Sequence, residues 1–345
     1  MKRIIFLVAL SLFPGHSFSQ PAAGWLRSST SNHKHFEIRV KPFIDLYFFV
    51  YKVSSGSVTP PAIEGLDQAV AAARQVPIFL PLINKLALFR CNNAADAERA
   101  FGQFPENFKT RTGGMIPLRE RAVHLARTLA VIERAFLQKV WPQHKAAIRQ
   151  AKLRIARDLE PKEQELFAYF TGHLGFENAD YVVPIYLVAE GPWPAALTAN
   201  SDGRKHGACL VNVGDSQGAH LFDAILHESI HALNLETEGN GNVLVDLRRR
   251  LLEAGFDKND LIVREGPHML VFIQSVETVR RFLDASYLPY TEGVFARPGI
   301  KPLINAELSI WTAYLDGKSS REDALNQIVN EFIKTRKDAP AKDQD

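Results

Sequence analysis

Residues 221–234 read LFDAILHESIHALN, and within them His227 and His231 stand four positions apart with Glu228 beside the first. In a strand, four positions separate two side chains by about 13 Å. On an α-helix, positions i and i+4 lie on one face a turn apart, while i+1 turns about 100° away. If the two histidines act together, this stretch must be helical. Asp215 and Ser216 offer an N-cap, so the spacing predicts a helix from about Gln217 to Leu235. Leu221, Phe222, Ile225 and Leu233 give that helix an apolar side to bury.

Two imidazoles on one helical face can direct nitrogens at a single metal ion, and His-Glu-x-x-His is the spacing that zinc hydrolysis uses. Glu228 lies beside the ion without ligating it. Zinc lowers the pKa of its water towards about 7 and polarises a carbonyl, while a neighbouring carboxylate takes the proton and passes it to the leaving nitrogen. The bare five-residue pattern arises by chance at roughly the few-per-cent level in a chain of this size. A pair of ordinary buried or surface histidines is therefore the bland alternative. Context weighs against it: the match sits in a capped helix, and a short apolar strand, ACLVNVG (208–214), precedes it.

That strand-then-helix order, over about residues 180–295, resembles the zincin metallopeptidases. The resemblance implies an edge strand that receives extended substrate by β-augmentation and a following helix that carries the two histidines and the glutamate. It also implies zinc as cofactor, a peptide or protein substrate, and a third protein ligand downstream. The metzincin spacing is excluded, because Asn234 and Thr237 stand where glycine and histidine would be needed. The remaining candidates are Glu236, Glu238, Glu265, His268, Glu277 and Glu292. Glu236 and Glu238 follow too closely for the chain to return comfortably.

GPHMLVFIQSVETVRRFL (266–283) reads as a helix with Pro267 at its first position. Within it His268 and Glu277 are nine apart, about 900° of rotation, and face opposite ways. His268 shares its side with Phe272, Ser275, Val279 and Phe282, which should pack inward; Glu277 shares its side with Gln274, Arg280, Arg281 and Asp284 and suits a surface ion pair with Arg281. Geometry favours His268, with Glu277 as the second candidate. The segment HMLVFIQSVETVRRF followed by YLPYTEGVF is also similar to a group of exported bacterial H-E-x-x-H proteins in which a histidine opens an aromatic helix. That likeness points to His268 as well, although Ile273 stands where a tyrosine is expected. In the next loop, Tyr287 or Tyr290 could offer a hydroxyl to an oxyanion, and Pro289 favours Tyr290.

At the N-terminus, Lys2 and Arg3 precede an apolar run from Ile4 to Phe13, and Ser17-Phe18-Ser19 has the form of a cleavage site before Gln20. The run is about 10 residues, short of the roughly 20 that span a bilayer. A signal peptide over 1–19 and an exported, periplasmic or secreted protein are expected. Its removal takes the formal net charge from +3 to +1, which gives no argument for nucleic acid or a membrane surface as partner. The chain has 345 residues, enough for a sizeable core at 46% hydrophobic content. Cys91 and Cys209 could pair in an exported protein, but Cys209 lies in an apolar strand where a free thiol packs as a small hydrophobe.

The expected organisation is a signal peptide (1–19), an N-terminal strand and helical region (20–175), a zincin-like metal-binding region (176–335) and a disordered tail (336–345). Strand then helix is expected over 36–54, amphipathic helices with solvated charged faces from 63 to 172, and a loop at Arg111–Gly114. Two strands joined by a long connection follow from 180, and two last helices cover about 303–315 and 320–335. The fold class is α+β, mainly helical, with a small sheet beside the helix of His227 and His231. The expected function is an exported zinc-dependent hydrolase acting on peptides, with Glu228 as base, Tyr290 assisting, and His227, His231 and His268 on zinc. The rivals are an inactive zincin-like binding protein, and a metal-free cell-envelope protein that presents the helices of 95–172 to a partner.

Overall fold

Short β-branched runs with apolar residues on both faces need cover on both sides, and the central strands of this chain receive it. The computed structural model describes residues 34–56, 58–78, 81, 87–109, 114–176, 182–191, 196–199, 207–234, 242–289 and 301–338. It is mainly helical with a small sheet, an α+β arrangement. The first strand, β1 (Phe36–Arg39), pairs in parallel with β4 (Val183–Val188), and β4 pairs in parallel with β6 (Ala208–Asn212). The fourth, β5 (Ala196–Ala199), runs antiparallel to β6 with Thr198 opposite Cys209, so the sheet order is β1-β4-β6-β5. A separate two-stranded ribbon, β2 (Phe108–Lys109) with β3 (Met115–Ile116), flanks the loop expected at 111–114.

The sheet is a wall between two cores. Alternation along β4 and β6 sends Ile185, Leu187, Cys209 and Val211 to one side and Tyr186, Val188 and Leu210 to the other. The second side is covered by α1 (Pro42–Ser54), α2 (Leu66–Ala73), α3 (Ala87–Arg90), α4 (Ala94–Phe101) and α5 (Leu118–Lys139). The first side is covered by α6 (Trp141–Arg154), α7 (Glu163–Leu174), α8 (Ala219–Asn234), α9 (Val243–Glu253), α10 (Leu261–Phe282), α11 (Lys301–Leu315) and α12 (Arg321–Asp338). This core therefore draws on residues from both sides of position 175. A π-helical turn, Ile155–Leu159, and a short 3-10 turn join α6 to α7.

Buried carboxylates tie the layers together. Asp45 on α1 accepts the Ala189 amide at 2.7 Å, just beyond β4, and meets His144 Nδ1 on α6 at 2.5 Å. Glu163 on α7 accepts the main-chain amides of His35 and Phe36, the latter at 2.8 Å, and anchors β1. Gly214, in the turn that leads from β6 towards α8, donates to Ala189 O at 2.9 Å. A Cβ there would lie 2.6 Å from that oxygen, so the turn needs glycine.

Several expectations are corrected. ACLVN (208–212) is an inner strand; the edge beside it is β5, a third strand within a segment read as two, hidden because only four residues of a turn-rich stretch are extended. The helix α8 starts at Ala219 rather than Gln217 because the Asp215 carboxylate is taken by Asn212 Nδ2 at 2.7 Å and Gly218 sits at φ 58°. Pro267 lies inside α10, not at its start, since Val263 is already packed in the core and Arg264 N reaches Asp260 O at 3.3 Å. Its ring nitrogen cannot donate to the carbonyl of Val263. The last helix continues to Asp338, past the expected tail boundary, with the Arg336 guanidinium 5.0 Å from the Phe256 ring centroid and bonded to Gly255 O. Cys91 and Cys209 are free, buried thiols in different cores. The expected signal peptide lies outside the described residues, as does the end of the tail. No described helix is long and apolar enough to cross a membrane.

Glu307 lies on the inward stripe of α11 between Ile304 and Trp311, is 0% exposed, and among the described residues neither carboxyl oxygen has a hydrogen-bond partner. Burial holds its pKa well above the ordinary 4.5, so the folded chain keeps a proton that the unfolded chain loses above that value. Stability is then whole at low pH and falls as pH rises through and above the ordinary range. Glu307→Met should raise stability by about 1–3 kcal/mol at pH 8 and by less at pH 5. Urea unfolding followed by circular dichroism checks this; a variant less stable than the parent at pH 8 contradicts it.

Candidate metal centre

Two packed helices build the site. Ser275 Oγ on α10 donates to Asp223 Oδ1 on α8 at 2.6 Å, while His268 on α10 meets His227 on α8, so the helices run antiparallel. His227 and His231 share a face of α8 through their i, i+4 spacing, and His268 faces them from α10. The Nε2 atoms of His227 and His268 are 3.2 Å apart, and those of His231 and His227 are 3.1 Å apart. Each of the three offers one nitrogen within 4.8 Å of the others. Nitrogens each about 2.0–2.1 Å from a tetrahedral zinc would stand about 3.3–3.4 Å from one another. The observed separations fall a little inside that range.

Electrostatics agree with a cation site. Burial, then the neighbouring imidazoles, push the pKa of His227 well below 6.5; burial, then His268, push that of His231 down to about 3. Both rings are therefore neutral near pH 7 and each offers a lone pair. Glu265, 1% exposed, presents Oε2 to His268 Nδ1 at 3.3 Å. A proton on Nδ1 leaves Nε2 bare and directed at the other two rings, as in carboxylate–histidine–metal arrangements. In one tautomer a neutral ring donates an N–H across such a contact, and in the other its lone pair is open to a shared cation. The donor set fits a divalent zinc ion.

Glu228 stands at the edge of this group, 8% exposed. Burial pushes its carboxyl up to about 7, opposed by a hydrogen bond from Thr198 and by nearby His268. Thr198 Oγ1 on β5 lies 2.6 Å from Glu228 Oε2 and 2.8 Å from the Glu228 main-chain oxygen. One turn earlier on α8, buried Asp223 also accepts the Tyr287 hydroxyl at 2.6 Å, and His220 Nδ1 meets that hydroxyl at 2.9 Å.

The sequence candidates are placed as follows. His227, His231 and His268 come together, with Glu228 beside them. Glu277 stays apart from the group. It is buried rather than solvated, and its closer partner is Arg280 at 2.8 Å, with Arg281 at 3.8 Å. Buried surroundings on nearly every side of α10 explain the difference, because polar groups there must pair internally. Tyr287 is 4% exposed and committed to Asp223. Tyr290, Glu236, Glu238 and Glu292 lie outside the described residues.

Two partners escaped sequence reasoning in their present roles. Glu265 was weighed as a ligand, whereas its i, i+3 spacing to His268 was the signal for a supporting carboxylate. Thr198 lies 30 residues from Glu228 on a strand too short to read, and nothing in the sequence connects them. No family model, curated protein or solved structure matches the chain.

If Glu265 orients His268, Glu265→Ala should weaken zinc binding by about 10–100-fold while the fold is retained. Competition with a chromophoric chelator measures this, with circular dichroism as the folding control. Unchanged affinity in a folded variant contradicts the assignment.

Proposed function

We propose that this protein is an exported zinc-dependent hydrolase with a zincin-like core, acting on peptide bonds. The observation that carries the reading is the convergence of three imidazole nitrogens from two helices, with the buried Glu228 carboxyl beside them. His227, His231 and His268 would hold the ion and leave a fourth position open. Zinc, when bound, supplies acidification of a coordinated water and polarisation of the scissile carbonyl. Glu228 is the general base: a carboxyl poised near pH 7 can take a proton from water and return it to the departing amine.

Substrate would approach along β5. That strand ends the four-stranded sheet, so its outer edge carries backbone groups that an extended peptide can pair with. Thr198 in the same strand touches Glu228, which brings a peptide docked there alongside the base. Export rests on the basic and apolar pattern of residues 2–19.

Protein purified without chelator should carry about one zinc per chain, lost on dialysis against a chelator and regained on addition. Glu228→Gln should keep the zinc and lose hydrolysis of a mixed peptide library by at least about 100-fold. Mass spectrometry of the cleaved peptides, with metal analysis of both proteins, reads the outcome. Wild-type activity in the Glu228→Gln variant, or no zinc taken up by the parent, contradicts the proposal.

A further inference from the structure

We infer that Thr198 is the positioning residue for Glu228: its hydroxyl, presented by the edge strand, holds Oε2 and leaves Oε1 free to face the reacting water. This rests on the hydrolase reading for its consequence in catalysis, and on geometry alone for the contact.

A glutamate on a helix has three side-chain torsions to settle, and a base that must meet one proton cannot be left to sample them. Thr198 settles them from the neighbouring strand. Its Oγ1 lies 2.6 Å from Oε2, within the range of a hydroxyl bonded to a carboxylate, and 2.8 Å from the main-chain oxygen of the same residue. The hydroxyl has one proton to give, and a charged carboxylate is the stronger acceptor. Oε1 accepts no hydrogen bond from the described residues, so one oxygen is committed and the other is available.

The strand makes the hydroxyl dependable. Thr198 is β-branched and stiff at its first torsion. It is paired in register with Cys209 of the inner strand β6, whose Sγ lies 3.9 Å from the hydroxyl. Sheet alternation turns Leu197 and Ala199 to the other core, which leaves Thr198 on the α8 side. Neither serine nor threonine at a loop position would be held so firmly. The edge strand thus serves twice: its outer backbone offers a peptide a pairing edge, and its one hydroxyl on the α8 side fixes the base that would act on that peptide.

The test uses zinc-loaded protein carrying glutamate labelled with 13C at the carboxyl carbon, with the Glu228 resonance assigned by its loss in E228Q. Thr198→Val is nearly isosteric and removes only the hydroxyl; Thr198→Ser restores it. The Glu228 resonance should move in T198V and return close to its parental position in T198S. An unmoved resonance in T198V overturns the inference, whether or not any peptide is cleaved. In the hydrolysis assay, T198V should lower kcat about 10–100-fold with KM within about twofold and zinc content unchanged, and T198S should recover most of the rate. A parental kcat in T198V also overturns it. A parent that cleaves no peptide defeats the hydrolase reading, and the resonance then decides the role of Thr198 by itself.

Discussion

Three imidazoles converge where α8 and α10 pack in the first core, with the His227 Nε2 atom 3.2 Å from that of His268 and 3.1 Å from that of His231. Each ring is partly desolvated, so the direction of its nitrogen lone pair matters. Under the proposed zinc reading a shared cation would meet all three nitrogens at once. The two helices are also joined a little further along by Asp223, which takes hydrogen bonds from Ser275 and Tyr287. Within α10, Glu265 lies 3.3 Å from His268 Nδ1 and steadies that ring.

The sheet supplies the remaining constraint. Because β4 and β6 are covered on both faces, they stay in place as a rigid wall, and β5 inherits that rigidity through its pairing with β6. Its outer edge nevertheless remains the end of the sheet. Among the described residues no strand pairs with that edge, and the same strand presents the Thr198 hydroxyl to Glu228. The N-terminal core supports this from behind, with Asp45 joining α1 to α6 and to the end of β4.

Parts of this were legible in the sequence because they depend on helical repetition. The i, i+4 pair of His227 and His231 implies its own helix, and the apolar residues in register with His268 turn that ring inward. The mainly helical class and the late helices follow from the same periodicity. What could not be read depends on contacts distant in sequence. Glu277 looks like a surface residue beside two arginines, yet α10 is surrounded, so Gln274 pairs with Trp311, Ser275 with Asp223 and Glu277 with Arg280 inside the protein. Likewise Asp215 has the chemistry of a helix cap, but Asn212 engages it first. The four residues of β5 carry no periodic signal, and Thr198 gains meaning only once that strand lies against α8.

In the proposed function His227, His231 and His268 bind one zinc ion together. X-ray absorption at the zinc edge of the loaded protein tests it most directly. The expected shell is four nitrogen or oxygen atoms at about 2.0–2.1 Å with the outer-ring scattering of three imidazoles, one of which is lost in His268→Ala. A shell containing sulfur, or one that His268→Ala leaves unchanged, would contradict it.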